Sequence, residues 1–192
     1  MKIYLTRHGE TEWNIEGRIQ SHGDSPLTSK GIETSKQLGH KLSNVKFDEI
    51  YSSDLGRAME TAKIIRGNRE IEITRLIGIR EIDLEPWRGK YFNELDNNDR
   101  ELNNRLYNSP NKYSHSEGES YHNFYCRVSK TIDAILNYNN SRNILVVSHF
   151  HTIRAILSYL KNIPIEDIPK EFPSIANNEV IIIEVINGKI EK

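Results

Sequence analysis

Three short apolar runs, Lys2–Thr6, Glu49–Ser52 and Asn143–Ser148, are each followed, directly or after a loop, by a segment whose apolar residues recur at helical spacing. This alternation constrains the fold more than any other feature of the chain. The helical segments are Ser29–Ser43 (Ile32, Leu38, Leu42; Thr28 or Ser29 as N-cap), Asp54–Arg66 (Leu55, Ala58, Ala62, Ile65), Glu119–Tyr138 (Phe124, Val128, Ile132, Ile135, Leu136) and Thr152–Leu160. Further strands are expected at Ile71–Thr74 and Glu179–Val185, with a hairpin to Lys189–Glu191 across Asn187-Gly188. Asn14–Thr28 reads as loop, and the polar stretch Glu81–Gly118 holds one short helix near Asp99–Tyr107. Strands alternating with helices predict an α/β fold: a three-layer α/β/α sandwich with a mainly parallel central sheet. No repeat or linker divides the 192 residues, so 1–192 is read as a single domain.

A net charge of −1 argues against a nucleic-acid or anionic-membrane partner, which a basic excess normally signals. No run approaches the ~18 apolar residues of a membrane span, and the first residues lack the pattern of a signal peptide. Cys126 is the only cysteine, which excludes an intramolecular disulfide and makes a reducing cytoplasm the expected location. Its place between Phe124 and Val128 reads as a small buried thiol.

Parallel sheets bind ligands at the carboxyl ends of their strands. Thr6-Arg7-His8-Gly9-Glu10-Thr11 sits at one such end, Ser52-Ser53 leads into Arg57 at another, and His149 closes a third. A lone histidine is most often a satisfied core residue, but the flanking Arg7 and Gly9 weaken that reading of His8. Gly9 lets the chain turn so that a main-chain carbonyl can hold the Nδ1 proton and leave Nε2 as nucleophile. Arg7 offers a planar fork to phosphate oxygens. Arg57, in a first helical turn where cations are disfavoured, makes sense if it shares an anion with the helix N-terminus. Glu81 is the candidate general acid, whereas Asp83 and Glu85 read as solvated loop carboxylates. His149, as an imidazolium, would stabilise a phosphorane-like transition state. His149-x-His151 spacing also admits zinc, but neither an acidic cluster nor a cysteine pair accompanies it, so no metal site is assigned. His40, His115 and His122 read as surface residues, and His22 as a residue that could border the phosphate pocket. Together these groups point to phosphoryl transfer.

The same motifs, in order, resemble the histidine phosphatase superfamily with its phosphoglycerate mutase-like fold. They are Leu5–Thr11, Trp13-Asn14, Gly17–Gln20, Asp24–Thr28, Ser52–Ala58 with Thr61-Ala62, Arg80–Asp83, Gly118–Ser120 and Val147–His149. The resemblance implies that His8 is phosphorylated, that Arg7, Asn14, Arg57 and His149 bind the phosphoryl group, and that Glu81 is proton donor and later base. It implies no metal and no organic cofactor, and it makes residues 82–118 a substrate-pocket insertion. Three positions depart from the family pattern: Phe150-His151 follow the second histidine where Gly is frequent, Ser21 follows Gln20 in place of Gly, and Glu85-Pro86-Trp87-Arg88-Gly89 adds a cation near the mouth. Gln20, Ser21, His22 and His151 are therefore candidate pocket residues, and Tyr91, Phe92, Tyr107 and Tyr113 a candidate aromatic wall.

The resulting expectation is a cytoplasmic, metal-independent phosphomonoester hydrolase acting on a small phosphorylated metabolite. The alternatives are a bisphosphoglycerate-dependent phosphoglycerate mutase, disfavoured by the short Glu81–Glu119 segment, and a non-catalytic phosphate- or phosphopeptide-binding module, disfavoured by Glu81. The sequence does not fix the oligomeric state.

Overall fold

The computed structural model describes residues 1–138, 143–186 and 189–190. Its sheet runs β3-β2-β4-β1-β5-β6, built from β1 (Lys2–Arg7), β2 (Glu49–Ser52), β3 (Ile73–Arg75), β4 (Asn143–Ser148), β5 (Val180–Ile186) and β6 (Lys189–Ile190). β1 to β4 are mutually parallel, and β5 and β6 add antiparallel at one edge. The continuous apolar stretches of β1 and β4 follow from their place in the middle, where both faces are covered. Ile3, Leu5, Ile144 and Val146 pack with Phe124, Val128 and Ile132 of α5 (Tyr121–Tyr138) and Ile153 and Ile156 of α6 (Phe150–Lys161). The alternate residues Tyr4, Leu145 and Val147 pack with Leu38 of α2 (Ser29–Lys41) and Ala58, Ala62 and Ile65 of α3 (Gly56–Arg66). Period-two alternation thus feeds two helix layers, giving the expected sandwich.

Three details differ from the sequence reading. Residues 12–16 form a helix, α1 (Glu12–Glu16), inside the stretch read largely as loop. It buries none of its residues and so carries no apolar stripe; it is set by a capping box in which Thr11 and Asn14 bond each other's backbone N–H. The short helix extends to α4 (Asn97–Asn108) because the Asp96 carboxylate caps it by accepting from the Asp99 N–H. Cys126 is half-buried, with its Sγ 3.6 Å from His122 Nε2, and not enclosed in the core. β6 pairs with β5 as the hairpin requires, while Asn187, Gly188 and Glu191 lie outside the described residues. A seventh helix, α7 (Ile168–Glu171), precedes β5.

Candidate active site

Register brings the site together. Parallel pairing aligns Arg7 with Ser148 and Ser52 with Val147, so that β1, β2 and β4 end at one level. The His8 N–H continues the ladder to the Ser148 carbonyl, and the Ser53 N–H to that of Val147, each at 3.0 Å. The rings of His8 and His149 consequently sit 5.3 Å apart, centroid to centroid.

His8 is buried, and its Nδ1 lies 2.8 Å from the Gly9 carbonyl. A carbonyl can only accept, so Nδ1 carries the proton and Nε2 keeps the lone pair. The turn that achieves this is tight: a Cβ on Gly9 would meet the Gly31 carbonyl and Ser35 Oγ at 2.9 Å. Burial, reinforced by Arg57 and Arg7, pushes the His8 pKa well below its usual value. The free protein therefore holds His8 as a neutral imidazole with its lone pair on Nε2.

His149, expected as an imidazolium in the transition state, is uncharged at rest. Burial, then Arg57, His8 and Arg7, lower its pKa as well, so it is neutral while the site has no anion. Ser53 Oγ lies 2.8 Å from its Nε2, and Nδ1 is buried without a partner among the described residues. A phosphate dianion would reverse this balance and favour the charged form.

Arg57 already shares an anion within the protein. Its Nη1 donates to the Gly23 carbonyl and to Asp24 Oδ1 at 3.0 Å, and its Nη2 to the Ser21 carbonyl at 2.9 Å. The Asp24 carboxylate further accepts the Gly56 and Arg57 N–H groups. The anion shared by Arg57 and the α3 N-terminus is thus Asp24, which fixes the guanidinium with Nε buried and unpartnered. Arg7, by contrast, donates to the Ile175 carbonyl at 2.9 Å and has no ion-pair partner among the described residues. Asn14 Oδ1 accepts from the Thr11 N–H and hydroxyl and weakly from Asn177, which leaves its NH2 group to donate.

Glu81 is buried and caps α6 from outside: its carboxylate accepts the N–H groups of Ile82 at 3.1 Å, His151 at 3.2 Å and Thr152 at 3.3 Å, together with the Thr152 hydroxyl. His149, the N-cap residue, makes no side-chain cap of its own. The Glu81 carbonyl is held from the other side by His22 Nε2 at 2.9 Å and Arg127 at 3.3 Å.

A cleft of about 500 Å³ is lined by Arg7, His8, Asn14, Gln20, Ser21, Arg57, Glu81 and His151 among the expected residues. His22 does not line it, because its ring is spent on the Glu81 backbone. Phe92 and Tyr107 of the aromatic wall face it; Tyr113 is core against Trp87, and Tyr91 carries the Arg18 guanidinium 4.6 Å from its ring. Arg88 is an exposed partner of Glu85, so the cation at the mouth is Arg18. His115 is part-buried against Trp87, not a surface residue. Ser21 stands at φ +50°, a left-handed conformation that favours glycine. Its hydroxyl offsets the strain by accepting from Leu84 N–H at 2.7 Å and donating to Asp83 at 3.2 Å. Phe150, which stands where the family pattern has Gly, does line the cleft; unforeseen contributors include Trp13, Leu84 and Asn103 in the lining, and Asn177, which donates to the His8 carbonyl at 2.9 Å. Among the described residues no group of three or more His, Cys, Asp or Glu is placed to hold a metal ion, and no helix is long and apolar enough to cross a membrane.

Burial of His8, His149 and His151 in neutral form makes stability pH-dependent. Their folded pKa values lie below those of the unfolded chain, so the unfolded state binds more protons as pH falls through about 6.5. The stability they lend is present above that pH and is lost below it, with a limiting slope of about 1.4 kcal/mol per pH unit per group. The melting temperature is expected to fall steeply between pH 7 and 5, and less steeply in His151→Gln. Equal slopes would remove His151 from the account.

A family model described as histidine phosphatase superfamily (branch 1) matches residues 3–191. The solved structure of Bacillus stearothermophilus YhfR has a TM-score of 0.92 and 34% identity over 99% of this chain and 94% of that one. The adenosylcobalamin/alpha-ribazole phosphatase of Escherichia coli (strain K12) is 31% identical over 86% of this chain and 82% of its own length. A "Probable phosphoglycerate mutase GpmB" of Citrobacter koseri is 32% identical over 85% and 76%, respectively.

Proposed function

This chain belongs to the histidine phosphatase superfamily, and from that premise we propose that it hydrolyses phosphate monoesters of small metabolites through a phosphohistidine at His8. The observation that carries the reading is the neutral His8 imidazole, its proton locked on the Gly9 carbonyl and its Nε2 lone pair beside Arg7 and Arg57 in a cleft. Binding alone calls for cations; it does not call for a prepared nucleophile with a carboxyl group across the same cleft.

The substrate phosphate enters among Arg7, Arg57 Nε, the Asn14 amide and His149, which takes up positive charge as the dianion arrives. His8 Nε2 attacks phosphorus and the ester P–O bond breaks in line. The departing alkoxide takes its proton from Glu81 in the acid form. Water then attacks the phosphohistidine while the Glu81 carboxylate removes its proton, the N–P bond breaks and orthophosphate leaves. Such transfer is nearly all positioning and electrostatics, which suits a site whose side chains are pinned by backbone carbonyls. Residues 82–118, which supply Leu84, Phe92, Asn103 and Tyr107 to the cleft, act as the substrate-pocket insertion within a single domain.

Orthophosphate release from 4-nitrophenyl phosphate and a metabolite panel tests the reading, with 3-phosphoglycerate mutase activity assayed in parallel. Multiple turnovers that EDTA leaves unchanged are expected. Negligible release with bisphosphoglycerate-dependent isomerisation would replace the hydrolase by a mutase. Inhibition by EDTA that a divalent ion reverses would require a metal.

A further inference from the structure

Behind the phosphate site lies a second set of buried polar groups that the proposed chemistry does not use. Arg154 is 2% exposed, yet it has no ion-pair or hydrogen-bond partner among the described residues, and its Nε is fully enclosed. His151 is 3% exposed and lines the cleft, with neither ring nitrogen partnered among the described residues. Tyr121 is 1% exposed, its hydroxyl likewise has no partner among the described residues, and it lies within the field of Arg154.

Buried polar groups are rarely left unpaired, because each forfeits its hydrogen bonds to water, and a buried cation without a counter-charge is costlier still. Helix α6 presents the cation and the imidazole together, since His151 and Arg154 are three residues apart and share a face. Phe150 ties this group to the phosphate site. The Arg7 guanidinium carbon lies 5.5 Å from the centre of its ring, and that of Arg154 lies 4.9 Å from the same ring. Two guanidinium groups thus flank one aromatic ring, one serving the phosphate and one with no partner. The one carboxylate whose field reaches Arg154 does not answer for it, because Glu81 is held by the α6 amides.

We propose that Arg154 and His151, backed by Tyr121, form a subsite for a second anionic group of the substrate, a carboxylate carried a short chain away from the phosphate ester. The substrate class is then the phosphorylated hydroxy or amino acid. This deepens the hydrolase reading and rests on it. Arg154 supplies the charge and His151 an N–H donor, so a substrate with a neutral group at that place leaves the buried Arg154 without a counter-charge. Sites built to bond a polar group reject analogues lacking it by large factors.

A matched pair tests this. 3-Phosphoglycerate and glycerol 3-phosphate differ only in carrying a carboxylate or a hydroxymethyl group at the far end. The wild-type ratio of their kcat/KM values is expected to be about 100 in favour of the acid. Arg154→Met and His151→Leu are each expected to lower that ratio at least about tenfold, mainly through KM for the acid, and Arg154→Lys to keep most of it. A wild-type ratio near one, or variants that slow both esters equally, would overturn the subsite; if Arg154→Met does not fold, the other two variants give the same reading. If the wild type hydrolyses neither ester nor 4-nitrophenyl phosphate, the hydrolase reading fails by itself. Calorimetric Kd values for the same pair then decide the subsite: preference for the acid that Arg154→Lys keeps and His151→Leu removes supports it, and equal affinities overturn it.

Discussion

His8→Ala is expected to fold and to lose essentially all turnover, about 10⁴-fold or more in kcat/KM for any phosphate ester. No neighbouring group can substitute. His149 is the nearest imidazole, but its Nε2 is engaged with Ser53 and its ring centre lies 5.3 Å from that of His8. Ser53 itself is fully buried. The fold should tolerate the change because the His8 ring contributes a single hydrogen bond, to the adjacent residue's carbonyl, while the strand is held by ladder bonds that the substitution leaves intact. Removing a histidine that must stay neutral even relieves the acid penalty, so the variant should melt no lower than wild type at pH 5. Quenched wild-type reactions should yield an acid-labile phosphoprotein that the variant does not form. Residual activity within about tenfold of wild type would place the nucleophile elsewhere.

The layers and the strand ends were legible in the sequence because they rest on short-range pattern. Apolar runs of the right length gave Glu49–Ser52 and Asn143–Ser148 to the residue, and helical spacing gave α2, α3, α5 and α6. What escaped rests on contacts between residues far apart in the chain. That Asp24 answers Arg57 depends on a separation of 33 positions and on a side chain reaching the first amides of α3. That His22 supports the Glu81 backbone spans 59 positions, and only geometry separates this from a residue bordering the phosphate. The resting charge of His149 was not legible for a related reason: a strand end marks a site, but enclosure and two nearby guanidinium groups set the proton. Arg154 did leave a trace, as a cation inside the otherwise apolar run Ile153–Leu157. Its lack of a partner could be seen only in three dimensions.

The second large effect is expected at Glu81, and it depends on the leaving group. An alkoxide leaves poorly without a proton, so Glu81→Gln should slow hydrolysis of an alkyl phosphate by about 10²–10⁴-fold. The 4-nitrophenolate group departs without help, so phosphorylation of His8 by the aryl ester should be nearly as fast as in wild type. Water still needs a base in the second half of the reaction, however, and Gln provides none. The variant should therefore release a burst of nitrophenolate matching the enzyme concentration and then turn over slowly, with phosphohistidine accumulating. A competing role must be separated from this one, because both Glu81 oxygens accept from the first amides of α6. Gln keeps one acceptor and turns an NH2 group toward the remaining N–H donors, which should lower stability by about 1 kcal/mol as for a lost cap. That structural loss bears on both esters and both half-reactions alike. A burst with aryl phosphate, together with a far larger loss for the alkyl ester, identifies Glu81 as acid and base; equal losses without a burst would reduce it to the residue that holds α6 in place.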